Sequence, residues 1–258
     1  MTFVLYFLTG VAAGIIGGLL GTGGCALIMP VVRFGFNFDP AFAVGTTLFA
    51  VVFTAGAGAY KHLRMGNVDR KTALCVGISG IFGVIIGSLV FGYLIHYKSI
   101  IDLILGFAFL LVSIRMAYEG IFLRGKHELS GSQIPGKKTN QGILGACVGV
   151  LTGIIGLGGG YALVPSFIYF FRAPTKIAIG TSMASFIWIA FLGAILKLFQ
   201  QVVNIQAAII LGIGAVIGAI YGAGLVARFQ SATLKALFGI LFFYVSLKYI
   251  LIYFGIRI

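Results

Sequence analysis

The sequence predicts an all-α integral membrane protein made of two homologous repeats, with about eight main helices and two short helices set off by glycine breaks. Three observations predict it. The 258 residues are 60% hydrophobic and only 9% charged, and several apolar runs exceed the ~20 residues that cross a bilayer. A soluble α/β domain of this length would need far more polar surface. Second, the stretch 10–30, G-V-A-A-G-I-I-G-G-L-L-G-T-G-G-C-A-L-I-M-P, returns 135 residues later. Gly145, Gly149, Gly153, Gly156, Gly158, Gly159 and Pro165 repeat Gly10, Gly14, Gly18, Gly21, Gly23, Gly24 and Pro30. Chance would superpose about two of the glycines, and six coincide, which reads as an internal duplication. Third, the 18 Lys and Arg behind the formal charge of +13 lie mostly in short segments between apolar runs. That is the pattern of positive-inside loops and not of a nucleic-acid-binding face.

Taken in order, the first half holds apolar runs at 3–20, 26–36, 41–60, 72–95 and 100–123. Residues 124–140, R-G-K-H-E-L-S-G-S-Q-I-P-G-K-K-T-N, form the only long polar segment and lie where a duplicated chain needs its connector. The second half repeats the order at 143–155, 161–171, 177–199, 206–227 and 234–256. This divides the chain into a first transmembrane repeat, 1–123, a cytoplasmic connector, 124–140, and a second repeat, 141–258. The first run follows Met1-Thr2 with no basic segment and reads as mature structure, not a signal peptide. Cys25, Cys75 and Cys147 match no metal spacing and read as small apolar-run residues, so no metal and no cofactor is expected. The halves read as inverted. Loop 61–71 carries Lys61, Arg64, Arg70 and Lys71 while its counterpart carries Lys197 alone, and repeats facing the same way would not need opposite charge bias.

The glycine clusters carry the functional expectation. Gly is worth roughly 1 kcal/mol less than Ala inside a helix, so Gly21-Thr22-Gly23-Gly24 is useful only where backbone unwinds. Unwound backbone at membrane depth is tolerated only where protein or a water-lined cavity surrounds it. A short helix beginning after each break, near Cys25 and Gly160, would point its N–H groups and positive dipole end inward, a setting that suits an anion. Gly21, Gly23, Gly24, Gly156, Gly158, Gly159 and Gly160 leave that backbone unshielded; Thr22 adds a hydroxyl in one half where Leu157 stands in the other. The Gly-Thr-Thr and Gly-Thr-Ser elements at 45–47 and 180–182 add Thr46, Thr47, Thr181 and Ser182, which either bond back to their own helix carbonyls or face the cavity. The four-residue spacing of Gly10, Gly14 and Gly18, and of Gly83 with Gly87 or Gly218 with Gly222, reads as helix packing. Lys98 with Asp102 and Arg115 with Glu119 read as ion pairs at helix ends. Lys61, His62 and Lys197 read as interfacial anchors.

With these elements in place, G-G-L-L-G-T-G-G with Pro30 and T-G-I-I-G-L-G-G-G with Pro165, each followed by Gly-Thr-Thr or Gly-Thr-Ser, the chain resembles the sulfite exporter TauE/SafE family, also called the 4-toluene sulfonate uptake permease family. The resemblance implies a prokaryotic inner-membrane transporter of small anions, commonly sulfur oxyanions or organosulfonates, with no enzymatic activity. Cys25 stands where the second copy has Gly160, a departure that argues against equal participation of the two copies. The expected partners are a small anionic substrate and the lipid bilayer, with proton and sodium both open as coupling ion. A membrane scaffold or assembly factor is the competing reading, and it would have to dock through 124–140. An intramembrane enzyme is disfavoured, since no His-Glu, Ser-Lys or Asp-Asp pair lies in the apolar runs.

Overall fold

A computed structural model describes residues 2–122, 131–228 and 231–254. Ten α-helices are present among the described residues: α1 Thr2–Leu20, α2 Cys25–Pro30, α3 Pro40–Arg64, α4 Arg70–Leu94, α5 Lys98–Phe122, α6 Lys138–Ile155, α7 Gly160–Tyr169, α8 Thr175–Phe199, α9 Ile205–Leu225 and α10 Ser231–Tyr253. A π turn, Val31–Gly35, prolongs α2. Five described helices, α1, α3, α4, α8 and α9, are long and apolar enough to cross a membrane. The connector's 124–130 lie outside the described residues, and its last three residues, 138–140, already belong to α6.

The helices are sided the reverse of a water-soluble fold. On α4, Ala73, Val76, Gly77, Gly80, Gly83 and Gly87 are buried while Leu74, Ile78, Phe82, Ile86 and Leu89 point outward. On α9, glycines and alanines turn inward and Ile205, Ile209, Ile213, Ile217 and Ile220 turn out. Such continuous apolar rows are untenable in water and suit hydrocarbon, while the small inner residues let backbones approach. The packing is close in the way the four-residue glycine spacing predicts. A methyl at Gly10, Gly14 or Gly18 would run into the carbonyls of Leu211, Ala215 and Ala219, and one at Gly214, Gly218 or Gly222 into those of Phe7, Val11 and Ile15.

Those contacts also give direction. Positions on α1 and α9 rise together, so these two helices run parallel, as do α4 and α6, where Gly145, Gly149 and Gly153 meet Val76, Gly80 and Val84. In contrast α3 and α8 cross antiparallel, Gly58 against Met183 and Leu48 against Gly193, and so do α5 and α10, Gly106 against Ile250 and Gly239 against Ala117. The α3–α4 turn lies on the same side as the described part of the connector, because Ile134 N donates to Asp69 Oδ2 at 2.9 Å and Cys75 Sγ to Lys138 O at 3.4 Å.

Asp102 on α5 is bound by Arg33 of the π turn, with Nε to Oδ1 at 3.3 Å and an Nη2 contact to Oδ2 at 3.0 Å. Arg33 also donates to Phe38 O at 3.1 Å, which fixes the return segment against α5. The side chains of Lys98, Arg115 and Glu119 lie outside the described residues. The chain reversal at 31–38 brings a guanidinium that binds both carboxylate oxygens.

The two helix breaks and their buried bases

Each break begins with a helix that ends on a glycine in the left-handed conformation. Gly21, φ 75°, closes α1 through its N–H to Gly17 O at 2.9 Å, and Gly156, φ 66°, closes α6 through its N–H to Thr152 O at 2.8 Å. Short helices restart at Cys25 and Gly160, with their positive ends in the breaks. The two breaks meet. A Cβ on Gly160 would strike Gly21 O and Thr22, which explains why that position is glycine although Cys25 stands at its counterpart. The Cys25 thiol donates to Thr22 O at 3.1 Å instead. Residues 21–25 and 156–160 are all buried, and Phe186 of α8 is wedged against Gly23, Gly158 and Gly159.

The hydroxyls divide into two groups. Thr46 Oγ1 accepts from Asn204 N at 3.0 Å and Thr181 Oγ1 from Asp69 N at 2.9 Å. Both therefore hold the turn of the opposite half. Asn204 and Asp69 are themselves N-caps, Asn204 Oδ1 accepting from Ala207 N at 3.0 Å and Asp69 Oδ1 from Lys71 N at 3.1 Å. Burial alone would push the Asp69 carboxyl up; hydrogen bonds from Ile134 N, the Thr72 hydroxyl and the backbone of Thr72 and Lys71 overcome it and hold the group below its ordinary value. The second group stays at the breaks. Ser182 Oγ lies 2.9 Å from Gly21 O and 2.7 Å from Ile179 O, so it reaches the first break while also bonding back to its own helix. Thr22 Oγ1 accepts from Gly24 N at 3.4 Å, and Thr47 donates to Met29 Sδ at 3.6 Å.

The expectation that His62 and Lys197 anchor the interface is overturned. Both side chains are 0% exposed. His62 Nε2 lies 3.0 Å from Gly18 O, and Lys197 Nζ lies 2.8 Å from Gly153 O. The reason is hydrogen-bond accounting. When α1 and α6 stop at the breaks, the carbonyls of their last turn lose their helical partners, and a buried carbonyl left bare costs about 1–3 kcal/mol. A base on the neighbouring helix supplies the donor, and a cation at a helix C-terminus is also favoured by the dipole. The two positions are 135 residues apart, as are their acceptors. Lys197 has further company: Gln200 Oε1 at 3.2 Å, itself tied to Ser88 O at 2.7 Å, and the Phe91 ring with its centroid 3.3 Å from Nζ. The signal that would have found these residues is the coincidence of two basic residues at one repeat offset, each near the end of an apolar run.

Comparison with known proteins follows the same lines. The chain is 27% identical to the probable membrane transporter protein YunE of Bacillus subtilis (strain 168), covering 99% of both chains. It is 28% identical to the probable membrane transporter protein YdhB of the same organism, covering 86% of this chain and 90% of the relative. It is also 28% identical to the probable membrane transporter protein MJ0441 of Methanocaldococcus jannaschii, covering 69% of this chain and 66% of the relative. No solved structure matches it. The family model described as sulfite exporter TauE/SafE matches residues 6–249. With that match over nearly the whole chain, and with apolar rows facing outward along α4 and α9, this multi-pass cell-membrane protein belongs to the sulfite exporter TauE/SafE family of membrane transporters.

Proposed function

We propose that this protein is a secondary transporter, without enzymatic activity, that moves a small sulfur oxyanion or organosulfonate across the cytoplasmic membrane. In this reading residues 1–123 and 141–258 are inverted repeats joined by a cytoplasmic connector, 124–140. The antiparallel crossing of α3 with α8 and of α5 with α10 supports the inversion, since each pair shares the repeat offset. The anion binds where the breaks meet. Gly23, Gly158, Gly159 and Gly160 supply backbone donors, Gly21, Gly24 and Gly156 line the site with N–H groups already held by Gly17 O, Thr22 Oγ1 and Thr152 O, and Thr22, Thr47 and Ser182 supply hydroxyls, while Thr46 and Thr181 hold the loops behind it. The observation that supports this reading is the meeting of two buried helix starts, Gly160 lying against Gly21 O and Thr22, with a buried base bound to the last turn of the helix before each break. An anion there must replace its hydration, and each charge-assisted hydrogen bond contributes about 1.5–3 kcal/mol toward that.

The test is flux into proteoliposomes holding the purified protein, with radiolabelled sulfite, sulfate, sulfoacetate and chloride compared. Saturable uptake of a sulfur oxyanion or sulfonate, well above chloride, is the expected result. Equal or absent flux for all four anions would defeat the reading.

A further inference from the structure

We infer that His62 is the proton-coupling residue of the transporter, taking up a proton on Nδ1 as an anion enters the breaks and returning it to water when the anion leaves. This rests on the transport reading above. Gly18 O is an acceptor only, so Nε2 must carry the hydrogen of the 3.0 Å contact. Nδ1 is then either a bare acceptor or, in the imidazolium, a second N–H. It is buried and has no hydrogen-bond partner among the described residues. A cation with an unanswered N–H in a dry interior is untenable, so the imidazole in this arrangement is neutral. Protonating it requires a negative partner, and an anion in the breaks is the partner the fold lacks. Proton and anion thus enter together as a balanced pair.

The surroundings single out His62 rather than its counterpart. Lys197 already spends its donors on Gly153 O and Gln200 Oε1 and rests on the Phe91 ring, so nothing is left open there. The charged groups at the ends of the elements around His62 are Lys61 and Arg64 on α3 itself, Asp69, Arg70 and Lys71 at the start of α4, Lys176 in the first turn of α8 and Arg228 beyond α9; the last turns of α1 carry none. Asp69 is engaged by Ile134 N and Thr72, and Arg64 by the Tyr60 hydroxyl at 2.8 Å. Between His62 and the break, on one stripe of α3 at 51, 54, 58 and 62, stand Val51 against Gly23, then Thr54 with a buried hydroxyl that also lacks a partner, then Gly58 covered by Met183. The corresponding stripe of α8 has Ile189 in place of Thr54.

The test uses the full protein in proteoliposomes, with sulfoacetate as probe because its charge is constant between about pH 5 and 8, the window in which imidazole titrates. Wild-type uptake is expected to rise about tenfold from pH 8 to pH 6 and to carry protons, read with an internal pH dye. His62→Gln keeps a donor for Gly18 O and cannot titrate; its uptake is expected to vary less than about twofold over that range and to carry no protons. His62→Lys should also be flat. A His62→Gln variant with the wild-type pH profile and dye signal overturns the inference. If none of the anions moves, the fault lies with the transport reading, and the melting temperature of the detergent-purified protein decides instead. The wild type should melt lower at pH 5 than at pH 8 while His62→Gln shows no such difference, and identical pH dependence in both proteins overturns the assignment.

Discussion

Gly23→Ala tests whether the breaks are built from backbone that only glycine adopts. Gly23 has φ 69°, and a methyl there would lie 2.7 Å from Val51 Cγ1 and 3.0 Å from Phe186 Cε1. Holding an alanine in the left-handed region costs roughly 1–2 kcal/mol. The overlap with Val51 adds the cost of overpacking a filled core, about 1–3 kcal/mol. Together the substitution should destabilise by roughly 2–5 kcal/mol. The two contributions separate in a double-mutant cycle. Val51→Ala alone costs about 1–3 kcal/mol as a truncated core residue, but in the Gly23→Ala background it removes the clashing methyl, so the pair should be less destabilising than the sum by about 1–2 kcal/mol. The strain of the backbone remains. The measurement is thermal unfolding in detergent of the four proteins. A Gly23→Ala protein that melts with the wild type, or a strictly additive pair, would refute the reasoning. The same geometry means that valine at Gly23 or Gly158 would disturb the fold as well as the breaks. Both positions have positive φ, and at Gly158 the added carbon would run into the Phe186 ring.

Two further predictions follow from polar contacts outside the breaks. Asp102→Asn weakens the two-point grip on Arg33, whose side chain is 22% exposed, so the loss should be about 1–3 kcal/mol and not the larger value of a fully buried pair; it should appear as a lower melting temperature, and an unchanged one contradicts the packing of the return segment on α5. Asp69→Asn removes a carboxylate whose folded value lies below the ordinary 3.8. The stabilisation is fully present above that value and is lost as pH falls through the folded one, so wild type and variant should differ at pH 7 and converge below about pH 4; a gap that stays constant with acidification rejects the assignment.

Much of the architecture was legible because helix periodicity and repeat spacing are local. The restarts at Cys25 and Gly160 follow from glycines that cannot continue a helix, and the close contacts of α1 with α9 and α4 with α6 follow from glycines four apart. The candidate site was legible only in part. Thr46 and Thr181 have the right chemistry and the right repeat offset, yet each is turned onto a cap residue of the other half, a partner 158 or 112 residues away that no local pattern names. Lys197 was misplaced for the opposite reason. A lysine two residues from the end of an apolar run has the sequence of an anchor, and its burial follows only once the orphaned carbonyl of Gly153 is known to lie beside it.

Phe186 links the two breaks. Its ring is fully buried and touches both breaks, at Gly23, Gly158 and Gly159. Its repeat counterpart is Val51, a smaller residue that covers Gly23 alone. In the transport reading, an ion that contacts both helix starts would occupy volume the ring now fills, so the ring would have to leave for it to bind. Because the ring belongs to α8 and packs on the unwound segments between α1 and α2 and between α6 and α7, α8 cannot swing without freeing both breaks at once. That linkage is what the transport reading requires of two helix interruptions far apart in sequence.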